Sequence, residues 1–241
     1  AMALESGLGE AVALSVASLG DQPFGTFALA PDGRALNPLI NSGALVVLEL
    51  LSRSHSEEEV GRWCRTLGGG SAAPGGECFD AEAVAATLAD SMRNRGLSSQ
   101  LASVGTLPKS EDAVERAVRY YAALDCLQTD AVELARVAAA FAGGCGTTGN
   151  AAPEHPGAST RTATLSAMLH GGMYEASGEW AASVGLPAKS GVSGAVWCVI
   201  PGVGGLCAQQ ARIDDAGNSV AAMALIRRMV AKVPELSVFH A

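Results

Sequence analysis

Residues 185–213 of the chain read GLPAKSGVSGAVWCVIPGVGGLCAQQARI, and this stretch decides the fold class. The run Ala195–Ile200 is continuously apolar and contains Val, Trp and Ile, which is typical of a buried strand. Pro and Gly at 201–205 predict a turn, and residues 206–213 alternate enough to form a returning strand. The stretch therefore predicts an antiparallel hairpin.

Helical patterns lie on both sides of the hairpin. Asp80 is a good N-cap for a helix over 80–96, in which Met92 is the last member of an apolar stripe. Two glycine-containing polar segments, 68–76 and 145–159, predict long loops. Further helices are predicted over 43–51, 57–63, 111–127, 129–142 and Val220–Lys232.

These elements predict an α+β fold, because helices and a hairpin follow one another without a βαβ rhythm. We expect a single domain over residues 1–241. Its helical region spans about 40–160, and its sheet and C-terminal helix span about 185–235.

The composition excludes several classes of protein. Apolar residues make up 49% of the 241 positions and charged residues 17%, so the chain is not a disordered polyelectrolyte. Its net charge of −8 makes it a poor binder of nucleic acid. No apolar run approaches the roughly 18 residues of a membrane span, so we expect no membrane partner.

The spacing of cysteines and histidines argues against metal and disulfide chemistry. The six cysteines include no C-x-x-C pair, and the four histidines lie far apart. We therefore expect no metal site, and free thiols in a reducing cytoplasm. The first residues show no secretion signal, which agrees with a cytoplasmic location.

Three short segments, 37–44, 170–178 and 185–194, are dense in reactive groups. The last contains Lys189-Ser190-Gly191 at the entry to the predicted strand, where an ammonium, a hydroxyl and an exposed backbone N–H come together. Such a set can hold a carboxylate and supply an oxyanion donor. The alternative interpretation is a tight turn that carries a lysine.

These segments resemble the serine-dependent glutaminases, which have the fold of the serine β-lactamases and penicillin-binding proteins. The resemblance rests on NPLINSGALVV at 37–47, GGMYEASGEWAASVGLPAKSGVSG at 171–194 and IDDAGNS at 213–219. It implies hydrolysis of L-glutamine to glutamate and ammonia through an acyl-serine intermediate, without a cofactor.

The resemblance also implies a set of substrate-binding residues. Asn41 corresponds to a substrate-binding asparagine, and Asn94 to one that contacts the α-amino and α-carboxylate region of the substrate. Tyr121 corresponds to a substrate-binding tyrosine on the helix that walls the pocket. Taken singly, each could instead be a hydrogen-bonded, half-buried polar group. Thr87 stands where the family has a glutamate for the amino group, and this loss of charge predicts at least roughly tenfold weaker binding of glutamine.

At the reacting end, Tyr174 corresponds to a tyrosine that is both substrate-binding and catalytic through proton transfer. Lys189 corresponds to a catalytic lysine, and Ser190 and Gly191 follow it at the edge of the pocket. Val192 corresponds to the residue whose backbone N–H helps to bind the substrate oxygen.

The nucleophile pair of the family is S-x-x-K, in which the lysine deprotonates the serine. The three lysines are Lys109, Lys189 and Lys232, and none has a serine three residues before it. Thr106 precedes Lys109 at that spacing, but a proline intervenes. We expect the family's serine and its lysine, and its first two strands, to lie upstream of residue 1, and the chain as given to be inactive.

Several functions remain open at this point. The chain is either a glutaminase that lacks its N-terminal part or a non-catalytic glutaminase-fold protein that binds a small molecule or another protein. A third reading is a different amide or lactam substrate, because Thr87 changes the amino-group end of the pocket. Missing strands would leave an uncovered sheet edge, so we also expect a homo-oligomer.

Overall fold

A computed structural model describes residues 1–69, 78–143 and 156–240. Helices come first, a small sheet follows, and one helix ends the fold. The elements are α1 Met2–Glu5, α2 Gly9–Ser15, α3 Asn41–Ser52, α4 Glu57–Leu67, α5 Ala81–Ala89, α6 Met92–Ser103, α7 Glu111–Asp125, α8 Ala131–Ala142, α9 Ala158–Gly171, α10 Ser177–Ser183, β1 Ala188–Ser190, β2 Ala195–Ile200, β3 Gly204–Gln209 and α11 Val220–Lys232. Short 3₁₀ turns occur at Tyr174–Ala176 and Pro234–Leu236.

The predicted hairpin is confirmed. β2 has the predicted bounds and pairs with β3 in antiparallel register, with Ala195 opposite Gln209 and Ile200 opposite Gly204. The returning strand was predicted over 206–213; it begins earlier, at Gly204, because the turn between the strands is shorter than the glycines suggested. β1 adds to the other side of β2, which gives the order β1-β2-β3.

Side chains of β2 alternate between two layers of helix, as the pleat requires. Val196 and Cys198 pack with Ile226 of α11, on the stripe of that helix that the sequence predicts to be buried. Trp197 and Val199 instead pack with Phe141 of α8. The sheet is therefore covered by α11 on one face and by α8 on the other.

A second core joins the helices that carry the predicted substrate-binding residues. Leu45 of α3, Leu97 of α6 and Val118 of α7 are completely buried in one cluster. Burial of such side chains contributes about 1.5–3 kcal/mol each. The cluster fixes α3, α6 and α7 relative to one another.

The predicted helix over 80–96 is wrong in one respect. Asp80 is the N-cap, as expected, because its side chain accepts hydrogen bonds from the backbone N–H groups of Glu82 and Ala83. The chain then leaves the helix at residues 90–91 and begins α6 at Met92, so Met92 turns outward and is 78% exposed. Apolar residues recur every four positions on both sides of residues 90–91, so their spacing alone did not predict that the helix ends there.

Other helices differ from prediction at their ends or were missed. The helix predicted over 111–127 ends at Asp125, and the one over 129–142 begins after its N-cap Asp130. Sequence reasoning missed α9, whose first half is small and polar and whose large apolar residues occur only in its second half. It also missed α1, α2 and α10. The predicted loops 68–76 and 145–159 lie largely outside the described residues.

We predict that Gly205→Ala destabilises the protein by about 1–3 kcal/mol. A Cβ at Gly205 would lie 2.0 Å from the carbonyl oxygen of Ala135, so α8 would have to move off the sheet. Gly204→Ala is the matched control, since a Cβ there meets nothing within 4 Å. Urea unfolding of both variants measures the difference, and equal stabilities would contradict the close packing of α8.

Candidate active site

β1 carries Lys189 and Ser190 to the place where α9 ends. The backbone N–H of Ser190 donates to the carbonyl of Gly172 at 2.9 Å. Gly172 permits this approach because a Cβ there would lie 1.8 Å from the carbonyl oxygen of Ala188. Gly172 therefore lets the end of α9 lie directly on the backbone of β1.

Tyr174 follows two residues later and reaches back to the same strand. Its backbone has φ +55°, a left-handed conformation that is uncommon for a bulky residue. Its hydroxyl donates to the carbonyl of Ser190 at 2.9 Å, and its ring lies 5.5 Å from that of Phe24. Asn218 Nδ2 donates to the carbonyl of Met173 at 3.2 Å, which supports the unusual conformation from the other side.

Lys189 completes this group. Its ammonium donates to the carbonyl of Ser190 and to the Tyr174 hydroxyl, 3.3 Å away. It also lies 4.4 Å from the centre of the Tyr174 ring, within the range of a cation–π interaction. Lys189 and Tyr174 therefore form a joint hydrogen-bonding unit.

Burial shifts the protonation equilibria of this unit. Loss of water lowers the pKa of Lys189 to about 8, and the negative charge of Asp125 opposes that shift. Burial, followed by repulsion from Asp125, raises the pKa of Tyr174 to about 12. Tyr174 is thus a neutral phenol at neutral pH, while Lys189 is close to releasing its proton.

The predicted substrate-binding residues meet on the opposite side, where α3, α6 and α7 converge. Asn41 Nδ2 donates to Asn94 Oδ1 at 3.0 Å, and the Tyr121 hydroxyl donates to Asn41 Oδ1 at 3.1 Å. Burial raises the pKa of Tyr121, with smaller effects from Asp125 and Tyr174. The chain of three side chains presents amide and phenol groups to the site.

Phe24 connects the two sides. Its carbonyl accepts the backbone N–H of Asn41 at 2.9 Å, and its ring contacts that of Tyr174. The structure therefore brings Asn41, Asn94 and Tyr121 together with Tyr174 and Lys189.

The turn after β1 holds the remaining candidates. The N–H of Gly191 donates to the carbonyl of Ala195, and Val192 is 53% exposed on the turn. Among the described residues, the N–H of Val192 has no acceptor and the buried Ser190 hydroxyl has no partner. An open N–H in this turn is suited to bind an oxygen of a ligand.

No serine hydroxyl is hydrogen-bonded to a lysine anywhere in the described part of the chain. The buried hydroxyls of Ser42 and Ser190 also lack partners there. Thr106, three residues before Lys109, donates its hydroxyl to the carbonyl of Gly33. These residues thus provide no serine activated by a lysine base.

Sequence reasoning missed Asp125, Phe24 and Asn218. Asp125 follows Tyr121 by four residues, so both lie on one side of α7, and that spacing could have found it. Asn218 belongs to the string at 213–219 that carried the resemblance. Phe24 lies in an irregular segment with no periodic signal.

An apolar cavity of about 310 Å³ adjoins Lys189. Trp63, Phe141 and Trp197 are among its lining residues, together with Arg65 at its edge. Of the site residues described above, Lys189 lines this cavity. Its volume is at the lower end of that of small-molecule pockets.

The helical layer, the antiparallel sheet and the Lys189–Tyr174 unit define a protein of the serine β-lactamase-like class. The chain belongs to the glutaminase family, whose model matches residues 1–239. A glutaminase of Bordetella avium is 37% identical over 194 residues, which cover 78% of this chain and 59% of that protein. A glutaminase of Corynebacterium glutamicum is 29% identical, covering 93% of this chain and 54% of that protein. The chain therefore spans less than two thirds of these relatives.

Solved structures agree with this family. The crystal structure of a probable glutaminase of Bacillus subtilis matches with a TM-score of 0.85 and 26% identity, over 98% of this chain and 78% of that one. The crystal structure of a protein called Mglu, in its glutamate form, matches with a TM-score of 0.83 and 28% identity, over 99% of this chain and 54% of that one. The predicted family and fold class are confirmed.

Two further observations concern membranes and metals. No helix in the described ranges has the length and apolarity to cross a membrane. No group of three or more His, Cys, Asp or Glu residues in those ranges is arranged to hold a metal ion.

We predict that one of the three lysines titrates near pH 8. Protein labelled with ¹³C at the lysine ε-carbons should give one such signal, and Lys189→Arg should remove it. Asp125→Asn should lower that pKa further, because the carboxylate stabilises the ammonium. Asp112→Asn, at the other end of α7, is the matched control. A Lys189 signal that titrates above pH 10 would contradict this account.

Proposed function

We propose that the chain binds L-glutamine, or a closely related amino-acid amide, between the two sides of this site. The observation that carries the proposal is the hydrogen-bonded series Tyr121–Asn41–Asn94 opposite the Lys189–Tyr174 unit. Amide and phenol groups of the first side suit the polar amino-acid part of the ligand. The open N–H of Val192 and the Lys189 ammonium suit the side-chain amide oxygen.

We further propose that the chain, as given, does not hydrolyse its ligand above background. Hydrolysis through an acyl-serine needs a serine with an adjacent base. The 241 residues contain no S-x-x-K, and the hydrogen bonds of Lys189 go to Tyr174 and to a carbonyl. Removal of the serine nucleophile from a serine hydrolase costs on the order of 10⁶ in turnover.

The two alternative functions require different properties of the protein. A non-catalytic interaction protein needs a partner surface but no ligand affinity. A protein for a different amide or lactam is favoured by Thr87, because an uncharged side chain there relaxes the demand for an amino group. Binding of L-glutamine would distinguish our proposal from a non-catalytic interaction protein. Tight binding of amides without an amino group would instead indicate a protein for a different amide or lactam.

We predict that the purified chain releases ammonia from L-glutamine no faster than its Lys189→Ala variant. Calorimetry should nevertheless detect binding of L-glutamine to the unmodified chain, because the binding groups do not depend on a nucleophile. Turnover that exceeds that of the variant would refute the proposed inactivity. Absence of binding would refute the proposed ligand.

We also propose that two copies of the chain associate through the outer edge of β3. Within the described ranges β3 pairs with β2 on one side and with no strand on the other. An unpaired edge exposes backbone donors and acceptors that another chain can pair with. Val203, in the turn that leads into this edge, is 70% exposed.

Sedimentation velocity should therefore show a dimer or larger species. Val203→Lys should shift the chain to monomer, since a lysine beside a strand edge opposes pairing. Leu14→Lys on α2 is the control, because Leu14 is 71% exposed and far along the chain from the sheet. A monomer at every concentration, or equal effects of both variants, would contradict the proposal.

A cytoplasmic location is likewise a proposal. Its support is that Cys64, Cys78, Cys126, Cys198 and Cys207 are free thiols. Cys145 lies outside the described residues. Free thiols are usual in a reducing compartment.

A further inference from the structure

Asp125 is a carboxylate beside the site that is hydrogen-bonded to neither Lys189 nor Tyr174. It is the last residue of α7, one helical turn after Tyr121, whose hydroxyl contacts Asn41. The next residue, Cys126, has its Sγ 3.4 Å from Oγ1 of Thr87 on α5. Asp125 therefore lies where the substrate-binding side of the site meets α5.

The charge of Asp125 reaches the other side of the site as well. It raises the pKa of Tyr174 and opposes the lowering of the pKa of Lys189. Within residues 1–69, 78–143 and 156–240, however, its oxygens accept no hydrogen bond and lie more than 4.0 Å from every lysine and arginine nitrogen. The carboxylate is thus near a cation without being neutralised by direct contact.

The surroundings of Asp125 favour an additional cation. Asp125 is exposed to solvent, so a ligand can reach it, although partial burial raises the pKa of its carboxyl above the usual value and the charge of Lys189 opposes this shift. It also ends a helix of 15 residues, where the helix dipole is negative and cations are favoured. An ionised carboxylate has about four acceptor positions, all open to a ligand here.

An amino-acid amide is a zwitterion and needs two kinds of partner, hydrogen-bond donors and an anion. The amides of Asn41 and Asn94 and the ammonium of Lys189 offer donors for its oxygens. Its α-ammonium needs an anion. Thr87 is uncharged and is directed toward Cys126, so α5 offers no charge at this point.

We propose that Asp125 accepts the α-ammonium of the ligand and so makes the site selective for amino acids over plain amides. This inference rests on the proposed binding of an amino-acid amide. It differs from it by assigning the discrimination of the amino group to one carboxylate at the end of α7.

Two ligands test the proposal by calorimetry: L-glutamine, and glutaramate, which is the same molecule without the amino group. The unmodified chain should bind L-glutamine at least roughly tenfold more tightly, because only L-glutamine forms the charge-assisted bond. Asp125→Asn keeps the shape and removes the charge, so it should abolish this preference, chiefly by weakening the binding of L-glutamine.

Asp112→Asn is the control for net charge. It makes the same change in the first turn of the same helix, about 20 Å from Asp125, and should keep the preference. Equal binding of both ligands to the unmodified chain, or a preference that survives in Asp125→Asn, would overturn the role of Asp125 and leave glutamine binding intact. Failure of the unmodified chain to bind either ligand would overturn both proposals.

Discussion

The contact of Gly172 with β1 is the constraint on which the site depends. The carbonyl of Gly172 accepts the N–H of Ser190, and a side chain at this glycine would collide with the strand. Because α9 ends so close to β1, the next residues must turn sharply, and Tyr174 takes a positive φ. Its hydroxyl then meets the carbonyl of the same Ser190. Backbone geometry thus decides where the phenol lies.

The electrostatics follow from this geometry. Lys189 is on a strand whose neighbour β2 is buried, so its ammonium loses water and its pKa falls to about 8. Its direct partners, the Tyr174 hydroxyl and the Ser190 carbonyl, are neutral. The nearest balancing charge that affects it is Asp125, which belongs to a different layer of the fold. The sheet supplies the cation of the site, and the helical layer supplies the anion.

Sequence reasoning succeeded where a signal is local. The bounds of Ala195–Ile200 and Val220–Lys232 were predicted because a continuous apolar run and a helical stripe each depend on neighbours within one element. It failed at residues 90–91, where the helix ends and the Ser91 hydroxyl donates to the carbonyl of Thr87, although the apolar spacing continues. It also missed Asp125, whose interaction with Lys189 joins residues 64 positions apart in the sequence. The roles of the motif residues came from resemblance, whereas their mutual contacts came from the structure.

Two features of the site, the positive φ of Tyr174 and the buried Lys189 ammonium, destabilise the folded state. A bulky residue with positive φ costs on the order of 1–3 kcal/mol, and Tyr174 has that conformation. A lysine whose pKa falls from 10.5 to about 8 destabilises the folded state at neutral pH by roughly 3 kcal/mol. The sign follows because the unfolded chain holds this proton more tightly, so stability is regained as the pH rises from about 8 to 10.5. A neutral side chain at position 189 would make the folded state more stable, because it would not bury a charge. Retention of both costs beside an intact Asn41–Asn94–Tyr121 series therefore favours a ligand that repays them on binding.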